Sequence, residues 1–421
     1  MSIKIRSLLP ARGVQGFSLP ATLLLTLALG MWCYMFIVAR SVGTARIAAW
    51  IVFAGILILF FLLLRTGKIS KYRRYFFVAI ALLFFPEFIA QLLETRGSMS
   101  LGAAQIMNTE TPYCHIVTSV VLLPWLATGK VVFPAGTGAI ASMLIIWGLA
   151  TLVIGRGWCS WACFYGGWDD GMSRVARKAR VKIGPGHKRI RNFGFAMLGF
   201  VALASLGTLV AVYCDWLCPF KVVTEFGAID SIRAYISFLM FVILFFGLVI
   251  VLPFLTKKRF QCMSFCPMGA FQSLLGKFNL YRVRIDKEKC SGCGICANAC
   301  PTLSLSLPEA SEGKRVPIVT STCTRCGECM DLCPKNAVSF RYVFCRGKSL
   351  FAGWREKLDG KKGTTAAVLR GITGTLDEIL SAKALFVYSG FFIGMVFLSS
   401  YGTATVNRLI RLVLHGSFLV K

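Results

Sequence analysis

Stretches of about 20 consecutive apolar residues, the length that crosses a hydrocarbon core, recur along this chain at 20–39, 45–64, 75–93, 135–154, 193–213, 234–255 and 384–401. In lipid every backbone polar group must pair internally, so each such stretch is expected to be a helix. A shorter apolar run, 113–127, bracketed by Pro112 and Pro124, is too short to cross. It reads as a re-entrant or interfacial half-helix, or as a helix buried against the bundle. Composition agrees: 56% of the 421 residues are hydrophobic and 15% charged, against about 25% charged in soluble proteins.

The formal charge of +29 does not point to nucleic acid, because the basic residues cluster beside the apolar spans. Lys and Arg number three before the first span, two in 40–46, five in 65–74, two in 94–134, nine in 155–192 and two in 214–233. Residues 256–383 are again basic. The positive-inside rule turns this alternation into one topology: N-terminus cytoplasmic, residues 256–383 cytoplasmic, C-terminus outside. The first apolar stretch has the length of a span rather than of a signal core, so it is expected to be retained.

Residues 282–346 form the one clearly soluble module. They contain "CSGCGICANACP" and "CTRCGECMDLCP", two copies of C-x2-C-x2-C-x3-C-P. Three cysteines two residues apart let one loop wrap three corners of a cubane, and the fourth is turned toward the other cluster. The expected ligand sets are therefore Cys290, Cys293, Cys296 and Cys333 for one [4Fe-4S] cluster, and Cys300, Cys323, Cys326 and Cys329 for the other. C-x2-C knuckles also bind zinc, but two complete copies with a terminal proline favour clusters. Seventeen cysteines in a long apolar chain argue for metal ligation over a disulfide scaffold.

Three C-x3-C pairs follow apolar spans: Cys159/Cys163, Cys214/Cys218 and Cys262/Cys266. Two thiolates cannot complete a tetrahedral or cubane site, so each pair needs a partner. Under the topology above, Cys159, Cys163, Cys262 and Cys266 share the cytoplasmic end and are expected to hold a third iron–sulfur cluster. Cys214 and Cys218 fall at the outer end, roughly a bilayer thickness (~30 Å) away. There Cys114, His115 and, more weakly, Cys33 are candidate partners in a further cluster or metal site. The alternatives are a disulfide or free thiols for Cys214/Cys218, and a packing role for Cys33. Cys345 reads as structural.

Glu87 lies inside the span 75–93. An intramembrane carboxylate is a candidate proton acceptor for quinol oxidation; a carboxylate satisfied within the bundle near Pro86 is the alternative. Residues 168–183 read as a basic interfacial helix that anchors topology, or that docks an acidic carrier or anionic lipid. There is no phosphate loop, no C-x-x-C-H haem motif and no hydrolytic triad in the sequence.

"GRGWCSWAC" (155–163), "QCMSFCPMGAFQSLLGKF" (261–278) and the paired cluster motif together resemble the membrane polyferredoxins of the NapH, NosR and CcoG type. The resemblance carries specific motifs over 155–345 and only hydropathy outside. Phe164 stands where the first pair usually has proline, and Cys214/Cys218 are additional to the two pairs usual in the NapH type. The family implies a multi-pass bacterial inner-membrane protein that passes electrons between a quinol or redox partner and cytoplasmic clusters. That role is a subunit of an oxidoreductase complex such as a quinol dehydrogenase; partners are a cytochrome, flavoprotein or ferredoxin-type protein, with any haem or flavin on them. The alternatives are a copper-handling assembly factor of CcoG type, in which the outer thiols meet soft Cu(I), and an anchor subunit. The expected fold is mostly α: a polytopic membrane bundle of about seven spans and a half-helix, carrying a small α+β bacterial-type 2[4Fe-4S] ferredoxin domain. Its divisions are 1–281, membrane domain; 282–346, ferredoxin domain; 347–383, basic linker; and 384–421, C-terminal span and tail.

Overall fold

A computed structural model describes residues 16–95, 115–128, 147–185, 187–224, 231–308, 315–343 and 364–418. Helix α1, Leu19–Cys33, has Pro20 in its first turn and runs on through a π-helical turn, Tyr34–Val38. Helix α2, Thr44–Thr66, stops on left-handed Gly67. Helix α3, Ile69–Thr95, contains Pro86, and α4, His115–Thr128, is the short helix expected around 113–127. After a helical stretch at 147–154 come a 3-10 turn, Gly155–Gly157, then α5, Trp158–Trp161, and α6, Phe164–Val175. Next are α7, Lys188–Thr208, and α8, Lys221–Thr224. Helix α9, Ile232–Leu244, is capped by Ser231, whose Oγ accepts the Ala234 N–H, and continues through a π-helical stretch into α10, Leu252–Thr256. Helix α11 is Pro267–Leu275.

Among the described residues, four helices are long and apolar enough to cross a membrane: Leu19–Val38, Thr44–Thr66, Lys188–Thr208 and Ile232–Thr256. A fifth arises if Val368–Ile379 and Ala382–Val396, bent by 53°, act as one. The expected seven are not reached. Most of 135–154 lies outside the described residues. The stretch 75–93 belongs to α3, which begins with the charged run Lys71, Arg73, Arg74 and buries Glu87. Only 17% of the apolar window of Ile232–Thr256 is buried, so its large side chains, such as Ile236, Phe238, Leu239 and Ile243, face outward. Water would penalise that surface and lipid does not.

The ferredoxin domain is built on β1, Tyr281–Ile285, with α12, Ile295–Ala299; β2, Leu305–Ser306; β3, Ile318–Val319; α13, Glu328–Asp331; and β4, Val338–Tyr342. β1 pairs antiparallel with β4, placing Val283 opposite Phe340 and Ile285 opposite Val338; β2 pairs antiparallel with β3. Alternation buries Tyr281, Val283, Val338 and Phe340 on one face. That face receives Phe386, stacked on Phe340 at 4.3 Å, from α15, Ala382–Phe397. Before α15, residues of the expected linker form α14, Thr364–Ile379; after it, a π-helical turn leads into amphipathic α16, Thr403–His415.

All three loops expected on the basic side touch this domain. The Asp331 carboxylate accepts the Ile69 N–H (3.1 Å) and the Ser70 N–H (2.8 Å). It thus caps the N-terminus of α3 from across the interface. Glu328 pairs with Arg74 at 2.8 Å and Arg174 at 3.2 Å. Lys258 Nζ donates to Asn298 O (2.6 Å) and Cys300 O (2.8 Å), and the Arg259 N–H to Pro301 O (2.8 Å). Arg191 Nη1 donates to Ser306 Oγ (3.1 Å). Asp331→Ala is expected to weaken this docking by about 1 kcal/mol, the worth of an N-cap. The check is limited proteolysis of the full chain, with faster cleavage within the ferredoxin domain of the variant and unchanged helix content.

Candidate functional site

In the ferredoxin domain, Cys290, Cys293, Cys296 and Cys333 line a single pocket. The last cysteine of the second motif thus joins the first three of the first. Cys300 lies within electrostatic reach of Cys323, Cys326 and Cys329, the complementary set. Cys329 also feels Cys296, so the two sets adjoin. Burial, reinforced by neighbouring thiols, pushes Cys326 up to about 12 and Cys296 up to about 11. Thiols this crowded ionise together only against a bound cationic centre. Gly292 (φ 73°), Gly294 (φ 69°) and Gly327 (φ 82°) take left-handed turns inside the motifs.

In the membrane domain, Cys159, Cys163, Cys262 and Cys266 line a second cavity, with Ile116, Trp158, Tyr165, Phe220, Gln261 and Met268 among its walls. Two similar turns build it. In each, the second cysteine is extended, Cys163 at φ −68° ψ 108° and Cys266 at φ −77° ψ 117°, and stands immediately before a helix, α6 or α11. Three residues on, Gly166 and Gly269 each pack so tightly on the carbonyl of the first cysteine that an added Cβ would lie 2.7 Å from Cys159 O or Cys262 O. Only glycine permits that approach.

Buried charge ties the two turns together. Arg259, wholly buried, directs Nη1 to Ser160 Oγ (2.7 Å) and Nη2 to Cys159 O (2.7 Å), Gly166 O (3.1 Å) and Cys262 Sγ (3.1 Å). Arg73 bonds Ser160 O (2.7 Å) and Asp170 (2.8 Å). The neighbouring carboxylates diverge. Burial pushes Asp169 up to about 7 while its Oδ2 accepts the Cys262 N–H at 2.9 Å. Burial would raise Asp170 too, but Arg73 and Arg259 hold it below the usual carboxylate range.

The third pair has the same turn. Tyr213–Leu217 is a π-helical turn ending on extended Cys218 (φ −75°, ψ 109°), and α8 follows. Its position differs from the expected outer end. After α7, Leu209 turns left-handed (φ 57°) and the Val212 N–H returns to Ser205 Oγ (3.2 Å). The chain folds back until the Tyr213 hydroxyl accepts a hydrogen bond from Gln261 Nε2 (3.1 Å) and Phe220 joins the wall of the membrane cavity. Buried Tyr213 has Cys266, Cys218 and Cys214 within electrostatic reach, and Cys266 also feels Cys218. A bilayer-thick gap between this pair and the others is therefore not what the fold contains.

The proposed partners of that pair fare differently. Cys114 lies outside the described residues, as does Cys345, and the side chain of His115 is not described. Cys33 is fully buried beside Tyr388, the packing alternative. Glu87 is gripped by Arg408 of α16, at 2.6 Å to Nε and 3.2 Å to Nη2. A bidentate guanidinium partner of this kind stabilises the ionised carboxylate and suits the bundle-satisfied alternative better than a proton acceptor. Among the described residues no three His, Cys, Asp or Glu side chains are arranged to hold one metal ion.

The donor sets fit [4Fe-4S] clusters. Four thiols surround a pocket in the ferredoxin domain and four more surround a cavity in the membrane domain. Arg156 Nε is buried beside the second set with no acceptor, a donor that a cluster sulfur would satisfy. The fold thus defines a membrane-associated ferredoxin-type protein with a dicluster module.

The family comparisons agree. A 4Fe-4S dicluster domain matches residues 282–334, and a 4Fe-4S binding domain matches three times, at 135–182, 193–229 and 238–287. Each of the three copies contains one C-x3-C turn. The chain is 30% identical to the methylamine utilization ferredoxin-type protein MauN of Paracoccus denitrificans over 45% of its own length and 63% of that protein's. It is 25% identical to the regulatory protein NosR of Stutzerimonas stutzeri (48% and 27%), and 27% identical to the ferredoxin-type protein NapH of Haemophilus influenzae (34% and 46%). The chain thus covers less than two thirds of these relatives. No solved structure matches it. The relatives and the matched cluster-binding domains support the NapH/NosR-type polyferredoxin family.

The threefold repeat escaped the sequence reading; its signal was an apolar span, C-x3-C and a short helix, three times at unequal spacing. Gly269→Ala is expected to displace Cys262 and to lower the iron content of the anaerobically purified protein by about four per chain, one cluster's worth. Gly276→Ala, where an added Cβ meets nothing, is the control and is expected to keep full iron.

Proposed function

We propose that this protein carries electrons between a redox partner docked at the ferredoxin domain and an electron carrier of the membrane, through at least three [4Fe-4S] clusters. The first two are held by Cys290, Cys293, Cys296 and Cys333, and by Cys300, Cys323, Cys326 and Cys329. The third is held by Cys159, Cys163, Cys262 and Cys266. Iron–sulfur electron transfer is the role the ferredoxin-type relatives support; the third cluster, the carrier and the direction are our reading. A quinol is the membrane carrier we favour, with the ferredoxin domain on the cytoplasmic side of a bacterial inner membrane and a cytochrome, flavoprotein or ferredoxin as the soluble partner. The observation that carries the reading is the meeting of four thiols from turns a hundred residues apart, around one cavity, directly beneath the docked dicluster module.

In this arrangement the clusters supply the redox chemistry and the chain supplies their setting. Trp158, Tyr165, Phe220 and Met268 keep water from the membrane set. Arg259 donates to a thiol sulfur, which lowers the electron density there. Cys214 and Cys218 lie within electrostatic reach of Tyr213, as Cys266 does.

Iron and sulfide counts test the reading. The anaerobically purified wild type is expected to carry about 12 irons per chain or more, and Cys159→Ser about four fewer. Equal iron in the two would sink the third cluster, and stoichiometric copper would replace the electron-carrier reading by a copper-handling one. Cys214→Ser is expected to change the low-temperature paramagnetic spectrum while the ferredoxin signals persist.

A further inference from the structure

Two arginines stand between the membrane thiols and the ferredoxin thiols, one from each side of the boundary. Arg156, 1% exposed, sits in the 3-10 turn before α5. Its Nη1 donates to Ser273 Oγ and its Nη2 to Cys262 O, at 2.5 and 3.2 Å. Its guanidinium faces Cys159, Cys262 and Cys266 and, across the boundary, Cys323. Arg325 is the third residue of "CTRC" in the second cluster motif. Its backbone is left-handed (φ 53°), as Gly292 is (φ 73°) at the matching place in the first motif. That conformation is strained for any residue with a Cβ.

The strain secures a contact. Arg325 Nη1 donates to Ile154 O at 3.0 Å and fills the space over Gly155, where a Cβ would lie 2.7 Å from it. The Trp161 indole N–H holds the Arg325 carbonyl at 3.1 Å. Arg325 faces Cys323 first, and then the like charges Arg282 and Arg156. Among the described residues, the carboxylate ion pairs involve Arg73, Arg74, Arg174, Arg259, Arg408 and Lys221, and neither Arg156 nor Arg325. Two like charges buried together without carboxylates are unfavourable. Thiolate-ligated clusters on both sides, each net anionic, are the counter-charge that the boundary provides for.

We propose that Arg156 and Arg325 set the reduction potentials of the two clusters they separate, Arg156 that of the membrane cluster and Arg325 that of the second ferredoxin cluster, and so govern electron exchange across the boundary. This rests on the reading of both thiol sets as cluster sites. The step is a one-electron exchange: one cluster is oxidised by one electron and the other reduced by one. No bond forms or breaks, and both guanidiniums stay protonated. A fixed cation favours the reduced, more negative state of the nearer cluster, which raises its potential.

The test is a redox titration of the purified full chain, followed by paramagnetic resonance, with iron counted in each sample. Arg156→Gln is expected to keep its iron and to lower the membrane cluster's midpoint, by roughly tenfold in the equilibrium or about 59 mV for one electron. Arg325→Gly, which gives that backbone the residue it suits, is expected to lower the second ferredoxin cluster's midpoint instead. The cluster of Cys290, Cys293, Cys296 and Cys333 should move in neither. Full iron with unmoved midpoints in both variants overturns the proposal, and so does an equal shift of all the clusters. If Arg156→Gln loses as much iron as Cys159→Ser, Arg156 is a structural residue, its half is overturned, and Arg325→Gly decides the other. Failure of the underlying reading shows earlier and separately, as a wild type whose iron count does not fall in Cys159→Ser.

Discussion

The membrane site depends on one buried guanidinium. Arg259 is where the two cysteine turns are fastened, because it reaches Cys159 O, Ser160 Oγ and Gly166 O on one turn and Cys262 Sγ on its own. A lone buried cation would be expelled or would unfold its surroundings. Asp170, Asp169 and the thiol of Cys262 are the groups that raise its hold on the proton despite complete burial. Asp170 in turn is shared with Arg73 of α3, the helix that Asp331 of the ferredoxin domain caps. Breaking one member of such a set leaves the others uncompensated, at a cost of roughly 3–5 kcal/mol. Cluster site, bundle and docked domain therefore share one electrostatic framework rather than three separate ones.

The parts of this framework that could be read in the sequence are those set by short-range covalent spacing. C-x2-C-x2-C-x3-C dictates which thiols can wrap one cluster, and the crossing of Cys333 into the first set follows from the same spacing. Hydropathy found Leu19–Val38, Thr44–Thr66, Lys188–Thr208 and Ile232–Thr256 because a span is a local property. It did not find the fold-back after α7. That reversal uses a left-handed leucine, where Gly207 two residues earlier would have been the conventional signal, and a serine hydroxyl capping a backbone N–H seven residues on. Topology counting puts residues 209–220 a bilayer away from Gln261, whereas the fold brings Tyr213 to it.

Long-range pairing was likewise invisible. Glu87 drew attention as an intramembrane carboxylate, yet its partner Arg408 lies 321 residues away, on an amphipathic helix. Thr405 on the same helix bonds Leu83 O. Together they clamp α3 close to the Pro86 position, where the proline leaves a backbone carbonyl without its usual donor. Nothing in the spacing of either segment announces the match. The same holds for Arg156 and Arg325, which the fold brings within electrostatic reach of each other.

The three repeated turns show how one unit takes on different tasks. Backbone geometry is common to all: the second cysteine is extended and the amide three residues on returns to its carbonyl, at 3.0 Å for Gly166, 3.2 Å for Lys221 and 3.1 Å for Gly269. The difference lies in the side chain at that third position. Glycine in the first and third units lets the following helix press on the first cysteine's carbonyl, so both thiols are held rigidly toward the shared cavity. Lysine in the second unit forbids the same close approach. Lys221 instead lies 3.9 Å from Asp215 and over the ring of Phe241. Cys214 and Cys218 are partly exposed, as Cys266 is, while Cys159, Cys163 and Cys262 are buried. Its place beside Tyr213 sets this pair next to the cavity, to whose wall the second unit contributes Phe220 rather than a thiol.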